Sequence, residues 1–187
     1  MKQRLRWAMD AIADSFSGLQ VRRFRRRHNG AVTVLDIDNT LADAWPSFLA
    51  GHRSERERLR DLELLPGMKV AAYDGRDRVL FLSHRSWWYW WLTRRWLREN
   101  GFDGTLVLVS TPGHKLGHLR RLVDGGGQVV YWDDLSHGTE RGRTELYVEL
   151  IDAVGALDLT YHGIDEIEAV VAAAGGRRSG SGRGSLS

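Results

Sequence analysis

The 187-residue chain has no cysteine, three prolines and only three lysines, which are Lys2, Lys69 and Lys115. The absence of cysteine excludes disulfides, thiolate metal sites and a cysteine nucleophile. No apolar run reaches the roughly 18–20 residues that a transmembrane helix needs. Asp10 and Asp14 also interrupt the N-terminal segment where a secretory leader requires an apolar stretch. These absences favour a cytoplasmic protein, and the length suits one domain with short extensions.

Acidic residues are scarce at both ends of the chain. Residues 1–30 carry a net charge of +6 and the tail from residue 175 carries +3, so residues 31–174 carry −6 within a total of +3. The basic character therefore belongs to the ends, and the central body is acidic. We divide the chain into a basic amphipathic helix over 1–30, a central domain over 31–174, and a Gly/Ser/Arg tail over 175–187 that we expect to be disordered.

The most informative segment is Val32-Thr33-Val34-Leu35-Asp36-Ile37-Asp38-Asn39-Thr40. A β-branched apolar run ends in two aspartates that are separated by one residue, followed by turn-forming residues. Such a strand delivers carboxylates to the C-terminal edge of a sheet, where open α/β folds place their chemistry. A solvated acidic turn would explain a lone Asp-x-Asp equally well. Other segments must therefore distinguish a functional site from such a turn.

Three later segments extend the pattern. The apolar run Val79–Leu82 is closed by Ser83, with Arg85 two residues further on. Lys115 lies where leucines at helical spacing begin, which places it at the start of a helix. The run Gln128–Trp132 leads into Asp133-Asp134. The order along the chain is thus Asp-x-Asp, Ser, Lys and Asp-Asp, and both acidic pairs and the serine end apolar strands.

This order resembles the haloacid dehalogenase (HAD) superfamily of phosphohydrolases and phosphotransferases over residues 31 to about 165. Asp36–Thr40 is similar to the first motif of the superfamily, Ser83 to the second, Lys115 to the third and Asp133-Asp134 to the fourth. The scarcity of lysine sharpens the match, since one of only three lysines occupies the required place.

The resemblance implies a role for each motif residue. Asp36 would be the nucleophile that forms an aspartyl-phosphate, and Asp38 would be the general acid and base. Mg²⁺ would be held by Asp36, by the main-chain carbonyl of Asp38, and by Asp133 and Asp134. Ser83 and Lys115 would bind the transferring phosphoryl oxygens. Arg85 is a further candidate for phosphate binding, because a guanidinium binds phosphate with two donors.

Strands that alternate with helical patterns predict an α/β fold, here a Rossmann-like three-layer sandwich with a parallel five-stranded sheet. The predicted strands lie over 32–35, 79–82, 105–109, 128–132 and 157–161, and a last helix over about 165–174. Turns are expected at Pro66-Gly67 and Asp74-Gly75. The intervals between motifs leave no room for a large cap domain, so the site should be open and suited to bulky substrates.

The N-terminal apolar stripe and the tryptophan cluster each keep more than one interpretation. Leu5, Met9, Ile12, Phe16 and Leu19 form one apolar stripe that either docks on the domain or serves as a partner surface for nucleic acid or an anionic membrane. The alternating charges of 53–61 are typical of a solvated helix face. Of the cluster Trp87-Trp88-Tyr89-Trp90-Trp91, two or three rings should pack on the sheet. The others are free for stacking, a lipid interface or a dimer contact.

The leading functional hypothesis is a magnesium-dependent HAD-type phosphatase, a phosphoric monoester hydrolase, acting on a phosphorylated substrate such as a nucleic-acid end. A small-metabolite (sugar or nucleotide) phosphatase and a non-catalytic HAD-like binding module are the alternatives. His114 and His118 are spaced as a metal pair would be, but they lack a third ligand, and a helix-face role is the simpler interpretation.

Overall fold

The computed structural model describes residues 2–52, 54–73 and 78–176, with side chains from residue 14 onward except that of residue 140. Its centre is a five-stranded, wholly parallel sheet in the order β5-β4-β1-β6-β9. The five strands are β1 (Val32–Leu35), β4 (Val79–Ser83), β5 (Thr105–Leu108), β6 (Val129–Trp132) and β9 (Thr160–His162). The α/β prediction is confirmed, and each of these strands overlaps a predicted one.

Helices cover both faces of the sheet and complete three layers. They are α1 (Lys2–Arg27), α2 (Ala44–Leu49), α3 (Glu55–Arg58), α4 (Met68–Ala72), α5 (Trp90–Glu99), α6 (Pro112–Asp124), α7 (Val148–Gly155) and α8 (Ile164–Ala173). Side chains of successive strand residues point to opposite faces, so the sheet supplies two cores. One lies under α5 and α8 and includes Phe81, Trp96 and Ile167. The other lies under α1, α6 and α7 and includes Tyr131.

Short elements occupy the interval between β1 and β4. β2 (Ala42–Asp43) pairs antiparallel with β3 (Glu63–Leu64), and α2 and α3 lie between these two strands. This insert is a small flap beside the edge of the sheet rather than a separate domain. β7 (Ser136–His137) and β8 (Glu145–Leu146) form a second two-stranded pair, and the turn between them contacts α2.

The helix α1 docks on the domain with a face other than the apolar stripe that its sequence indicates. Its buried residues are Ser17, Val21 and Phe24, and the Ser17 hydroxyl donates to the Leu108 carbonyl at 2.7 Å. Phe16 remains 44% exposed and is joined in solvent by Leu19. The apolar stripe therefore does not dock in the described part of the helix, because the sheet is met by the neighbouring face.

The tryptophan cluster divides between core and surface. Trp90 is partly buried against the core, and the later Trp96 is fully buried and donates its indole N–H to the Leu62 carbonyl at 2.9 Å. Trp87, Trp88 and Trp91 are 44%, 72% and 76% exposed. The expectation that only some rings pack on the sheet is confirmed.

Some predictions lie outside the described residues, namely the turn at Asp74-Gly75 and the tail from residue 177 onward. The turn at Pro66-Gly67 is present, and Gly67 has the positive φ of +78° that favours glycine. Among the described residues, no helix is both long enough and apolar enough to cross a membrane.

Candidate active site

The predicted site residues meet at the carboxyl edge of the sheet. Asp36 follows β1 directly, Ser83 ends β4, Asp133 follows β6, and Lys115 lies in the first turn of α6. Main-chain hydrogen bonds continue the sheet past the strands, since the Asp36 N–H donates to the Trp132 carbonyl at 2.9 Å. All seven predicted residues line one cavity of about 430 Å³: Asp36, Asp38, Ser83, Arg85, Lys115, Asp133 and Asp134.

Asp36 is buried, yet its Oδ1 atom has no hydrogen-bond partner among the described residues. The nearest cation is Lys115, whose Nζ lies 3.1 Å from this oxygen. Burial raises the pKa of Asp36 to about 6, against the opposing attraction of Lys115. The Ser83 hydroxyl is also buried, and its interaction with Asp36 opposes the rise in the pKa of Asp36. A cation and a hydroxyl thus lie beside the Asp36 carboxylate at the cavity.

Lys115 bridges two carboxylates. Its ammonium donates to Asp133 Oδ2 at 2.6 Å while it faces Asp36. Burial lowers the Lys115 pKa, but Asp133 and Asp36 outweigh burial and raise it above its usual value. The lysine therefore stays charged at physiological pH and can supply positive charge to an anion in the cavity.

Asp133 is fixed from three directions besides the lysine. The hydroxyl of Tyr131 donates to the same Oδ2 atom, and the Leu135 N–H donates to Oδ1 at 2.8 Å. Tyr161 donates its hydroxyl to the Asp133 main-chain carbonyl at 2.8 Å. Burial raises the pKa of Asp133 while Lys115 opposes the rise. Sequence analysis did not single out the two tyrosines. Tyr131 is typical of a buried strand residue, and Tyr161 reaches Asp133 from the neighbouring strand β9, a pairing that only the fold reveals.

Three buried carboxylates could hold a metal ion. One oxygen from each of Asp36, Asp133 and Asp134 lies within 4.8 Å of the others. The Ser136 hydroxyl donates to Asp134 Oδ2, and the Asp134 N–H donates to the Thr40 hydroxyl at 3.2 Å. An all-oxygen donor set of this kind fits a hard divalent cation such as Mg²⁺. The carboxylate of Asp38 is outside this group, as expected if its contribution is the main-chain carbonyl.

The Asp38 carboxylate is held by arginines instead. Arg85 donates from Nε to Oδ2 at 2.6 Å and from Nη2 to Oδ1 at 2.7 Å, which is a bidentate ion pair. Arg58 adds a guanidinium at 3.9 Å from Oδ1. Burial alone raises the pKa of Asp38, but Arg85 first and then Arg58 reverse this and lower it. Arg85 thus contacts the second aspartate directly rather than only facing the cavity.

The prediction of a solvated helix face over 53–61 is wrong for Arg58. This side chain is only 6% exposed, lies 4.0 Å over the ring of Phe48 and donates to Ser47 at 3.2 Å. It also pairs with Glu55 at 2.5 Å. The local charge pattern conceals the role of Arg58, because the flap folds back over the cavity and buries one arginine of the series.

The remaining polar residues shape the rim. Asn39 adopts a positive φ of 57° in the turn after Asp38 and donates its amide to the Thr139 hydroxyl at 3.2 Å. His84 and His137 line the cavity. Burial, followed by the charge of Lys115, lowers the pKa of His84. His84 is therefore neutral at physiological pH.

The histidine pair on α6 is not part of the cavity. His114 lies 3.1 Å from Asp14, and His118 Nδ1 lies 3.2 Å from an Arg121 nitrogen. Burial, then Arg121, lowers the pKa of His118 to about 4. The helix-face interpretation accounts for both residues.

No protein-family model, curated protein or solved structure matches this chain.

Proposed function

We propose that the chain is a magnesium-dependent phosphomonoester hydrolase of the HAD type that acts through an aspartyl-phosphate. The observation that carries this proposal is the buried Asp36 carboxylate, whose Oδ1 lies 3.1 Å from the Lys115 ammonium on a cavity that the buried Ser83 hydroxyl also lines. An anionic oxygen beside fixed cationic and hydroxyl donors is what attack on a phosphoryl group requires.

The reaction has two steps on these residues. In the first, a carboxylate oxygen of Asp36 bonds to phosphorus, the bond from phosphorus to the leaving oxygen breaks, and protonated Asp38 gives that oxygen its proton. In the second, Asp38 takes a proton from water, the water oxygen bonds to phosphorus, and the bond between Asp36 and phosphorus breaks. Lys115 and Ser83 hold the transferring oxygens throughout.

Arg85 and Arg58 favour the ionised form of Asp38, which is the base needed in the second step. Protonation for the first step becomes easier when a guanidinium turns from Asp38 to the negative charge of the substrate. The two arginines would in this way couple substrate binding to the protonation state of Asp38.

When bound by Asp36, Asp133, Asp134 and the Asp38 carbonyl, Mg²⁺ offsets the negative charge that would otherwise repel an anionic phosphate from the nucleophile. The chain's own contribution is to fix those oxygens. Asp133 is anchored by Tyr131 and Leu135, and Asp134 by Ser136.

The variant Asp36→Asn tests the proposal, because an amide cannot attack as an oxyanion. We expect turnover of a chromogenic aryl phosphate to disappear, together with the acid-stable phosphoryl label that wild-type protein carries after quenching. The matched control is Asp103→Asn, which changes an exposed aspartate on the surface. Turnover near the wild-type value in Asp36→Asn would exclude the covalent mechanism.

The substrate class requires a separate screen. We propose a bulky phosphomonoester such as a phosphorylated nucleic-acid end, because no separate cap domain is present among the described residues and Arg58 and Arg85 line the cavity. Comparing kcat/KM for 3′- and 5′-phosphorylated oligonucleotides with that for sugar phosphates and nucleoside monophosphates distinguishes this proposal from a small-metabolite phosphatase.

A further inference from the structure

Three exposed indoles and the outward side of α1 form one surface, which we term the aromatic–basic surface. Its apolar part consists of Phe16, Leu19, Trp87, Trp88 and Trp91, and its basic part of Arg22, Arg23, Arg26 and Arg27. The Phe16 and Trp87 rings meet edge to face with centroids 6.3 Å apart, which joins the helix to the tryptophans. The catalytic cavity does not include any of these nine residues.

Helix geometry places the two parts on one side of α1. Each residue turns the helix by about 100°, so Phe16, Leu19, Arg23, Arg26 and Arg27 fall within about a third of the circumference. The docked residues Ser17, Val21 and Phe24 fall on the other side. The outward side is thus apolar at Phe16 and Leu19 and cationic from Arg23 to Arg27.

The sequence continues this pattern toward the N-terminus. Leu5, Met9 and Ile12 precede Phe16 at steps of four, three and four residues, within the same unbroken helix of 26 residues. At about 1.5 Å per residue, positions 5 to 27 extend over roughly 33 Å. A straight helix side of this length suits a flat partner.

We propose that the aromatic–basic surface binds the headgroup region of an anionic lipid bilayer. Surface-lying helices present Leu, Phe and Trp to the acyl boundary and arginines to anionic headgroups. Tryptophan is enriched at this depth because its ring is apolar and its N–H is polar. Each arginine near an anionic bilayer adds favourable electrostatic energy, and four exposed ones adjoin the apolar part.

Two other partners fit the surface less well. Nucleic-acid interfaces are polar and strongly positive, whereas this surface exposes phenylalanine and leucine side chains beside its arginines. If α1 paired with α1 of a second copy along the apolar stripe, the next positions of the stripe after Leu19 would be Arg23 and Arg26. The contact between the two helices would then contain like charges. Only a bilayer uses the apolar and cationic stretches together.

The test is sedimentation of the full chain with vesicles of phosphatidylcholine alone and of phosphatidylcholine mixed with phosphatidylserine. We expect binding to the mixed vesicles that weakens with added salt. Trp88→Ser with Trp91→Ser, and separately Arg23→Gln with Arg26→Gln and Arg27→Gln, should each lower the partition coefficient by about tenfold or more. Turnover of a small aryl phosphate should not change in either variant.

Matched controls remove exposed residues elsewhere. Val70→Ser removes an apolar side chain that is 90% exposed, and the triple variant Arg60→Gln, Arg98→Gln, Arg120→Gln removes three exposed arginines. The proposal is overturned if wild-type protein does not bind the mixed vesicles, or if the controls weaken binding as much. A concentration-dependent dimer that Phe16→Arg dissociates, without vesicle binding, would assign the surface to a second copy. Oligonucleotide binding lost in the same variants, again without vesicle binding, would assign it to nucleic acid.

Discussion

At the scale of single residues, the bidentate pair between Arg85 and Asp38 sets the chemistry of the second aspartate. Replacing Arg85 with glutamine removes the main influence that lowers the Asp38 pKa. A smaller fraction of Asp38 is then ionised at acidic pH, so the acid limb of the dephosphorylation rate should move to higher pH. Single-turnover decay of the phosphoenzyme across pH measures this shift.

The control for the Arg85 variant is Arg95→Gln, which breaks an exposed pair with Glu99. That variant should keep the wild-type pH profile, because exposed ion pairs contribute little and Arg95 does not line the cavity. An unchanged acid limb in Arg85→Gln would show that Asp38 titrates independently of the arginine.

The Tyr131 hydroxyl positions the carboxylate of Asp133. Tyr131→Phe deletes the hydroxyl that donates to Asp133 Oδ2, and burial keeps the tyrosine neutral by raising its pKa well above the usual value. Groups that orient metal ligands are typically worth about 10–100-fold in affinity or activity. We therefore expect a higher magnesium concentration for half-maximal activity, and metal titrations check this.

Tyr161→Phe is the comparison for Tyr131→Phe. It deletes a hydrogen bond to the main-chain carbonyl of Asp133 rather than to the carboxylate. Its effect on the magnesium requirement should be smaller. Equal requirements in the two variants and in wild-type protein would contradict a positioning role for Tyr131.

The residues that sequence reasoning found and missed differ in a physical way. Asp36, Ser83 and Asp133 end apolar strands, and a strand end can be identified from local composition. Arg58 reaches the site through tertiary folding, so no local pattern distinguishes it from the solvated arginines beside it. Tyr131 lies only two residues before Asp133, but a tyrosine in an apolar strand is typical of a packing residue. Residue type at a strand end is therefore predictable from this sequence, whereas partners supplied by distant elements are not.

At the scale of elements, α1 illustrates how periodicity can indicate a helix and mislead about its docking side. The predicted helix is confirmed, but Val21 and Phe24 are buried rather than Phe16 and Leu19. Docking depends on which side fits beside β5 and α6, and there the Ser17 hydroxyl gains a buried acceptor in Leu108. Helical spacing carries no information about that fit.

Phe24→Ala and Phe16→Ala should separate the two sides of α1. Phe24 is 2% exposed, and truncating a buried phenylalanine costs about 3–5 kcal/mol in the free energy of unfolding. Phe16 is 44% exposed, and its edge contact with Trp87 is worth about 1 kcal/mol, so its truncation should cost less. Urea unfolding measures both values, and a larger loss for Phe16 would mean that the stripe is the docking side.

At the scale of the whole molecule, the buried carboxylate of Asp36 lowers the stability of the fold. Burial raises the pKa of Asp36 to about 6, so the folded state binds the proton more tightly than the unfolded chain does. The free energy of unfolding therefore falls as the pH rises from the ordinary aspartate pKa of about 4 to about 6, and the loss is complete above that pH. The loss is on the order of a few kcal/mol at neutral pH.

Asp36→Asn should accordingly raise the melting temperature at pH 7 by removing a buried charge, and the gain should shrink toward pH 4. Magnesium should raise the melting temperature of wild-type protein, since a ligand that binds only the folded state stabilises it. The same addition should stabilise the variant less. Calorimetric scans with and without chelator provide the measurement. A variant less stable than wild type at pH 7 would contradict this account of Asp36.

The position of the site at the ends of β1, β4 and β6 affects when its geometry is lost as the protein unfolds on heating. These strands are the three interior strands of the sheet, and each has paired neighbours on both sides. Interior strands exchange their amide hydrogens mainly through global opening, whereas peripheral segments open locally at lower free energy. Inactivation by heat should therefore coincide with cooperative melting. Loss of the proposed phosphatase activity on heating would then report the opening of these interior strands.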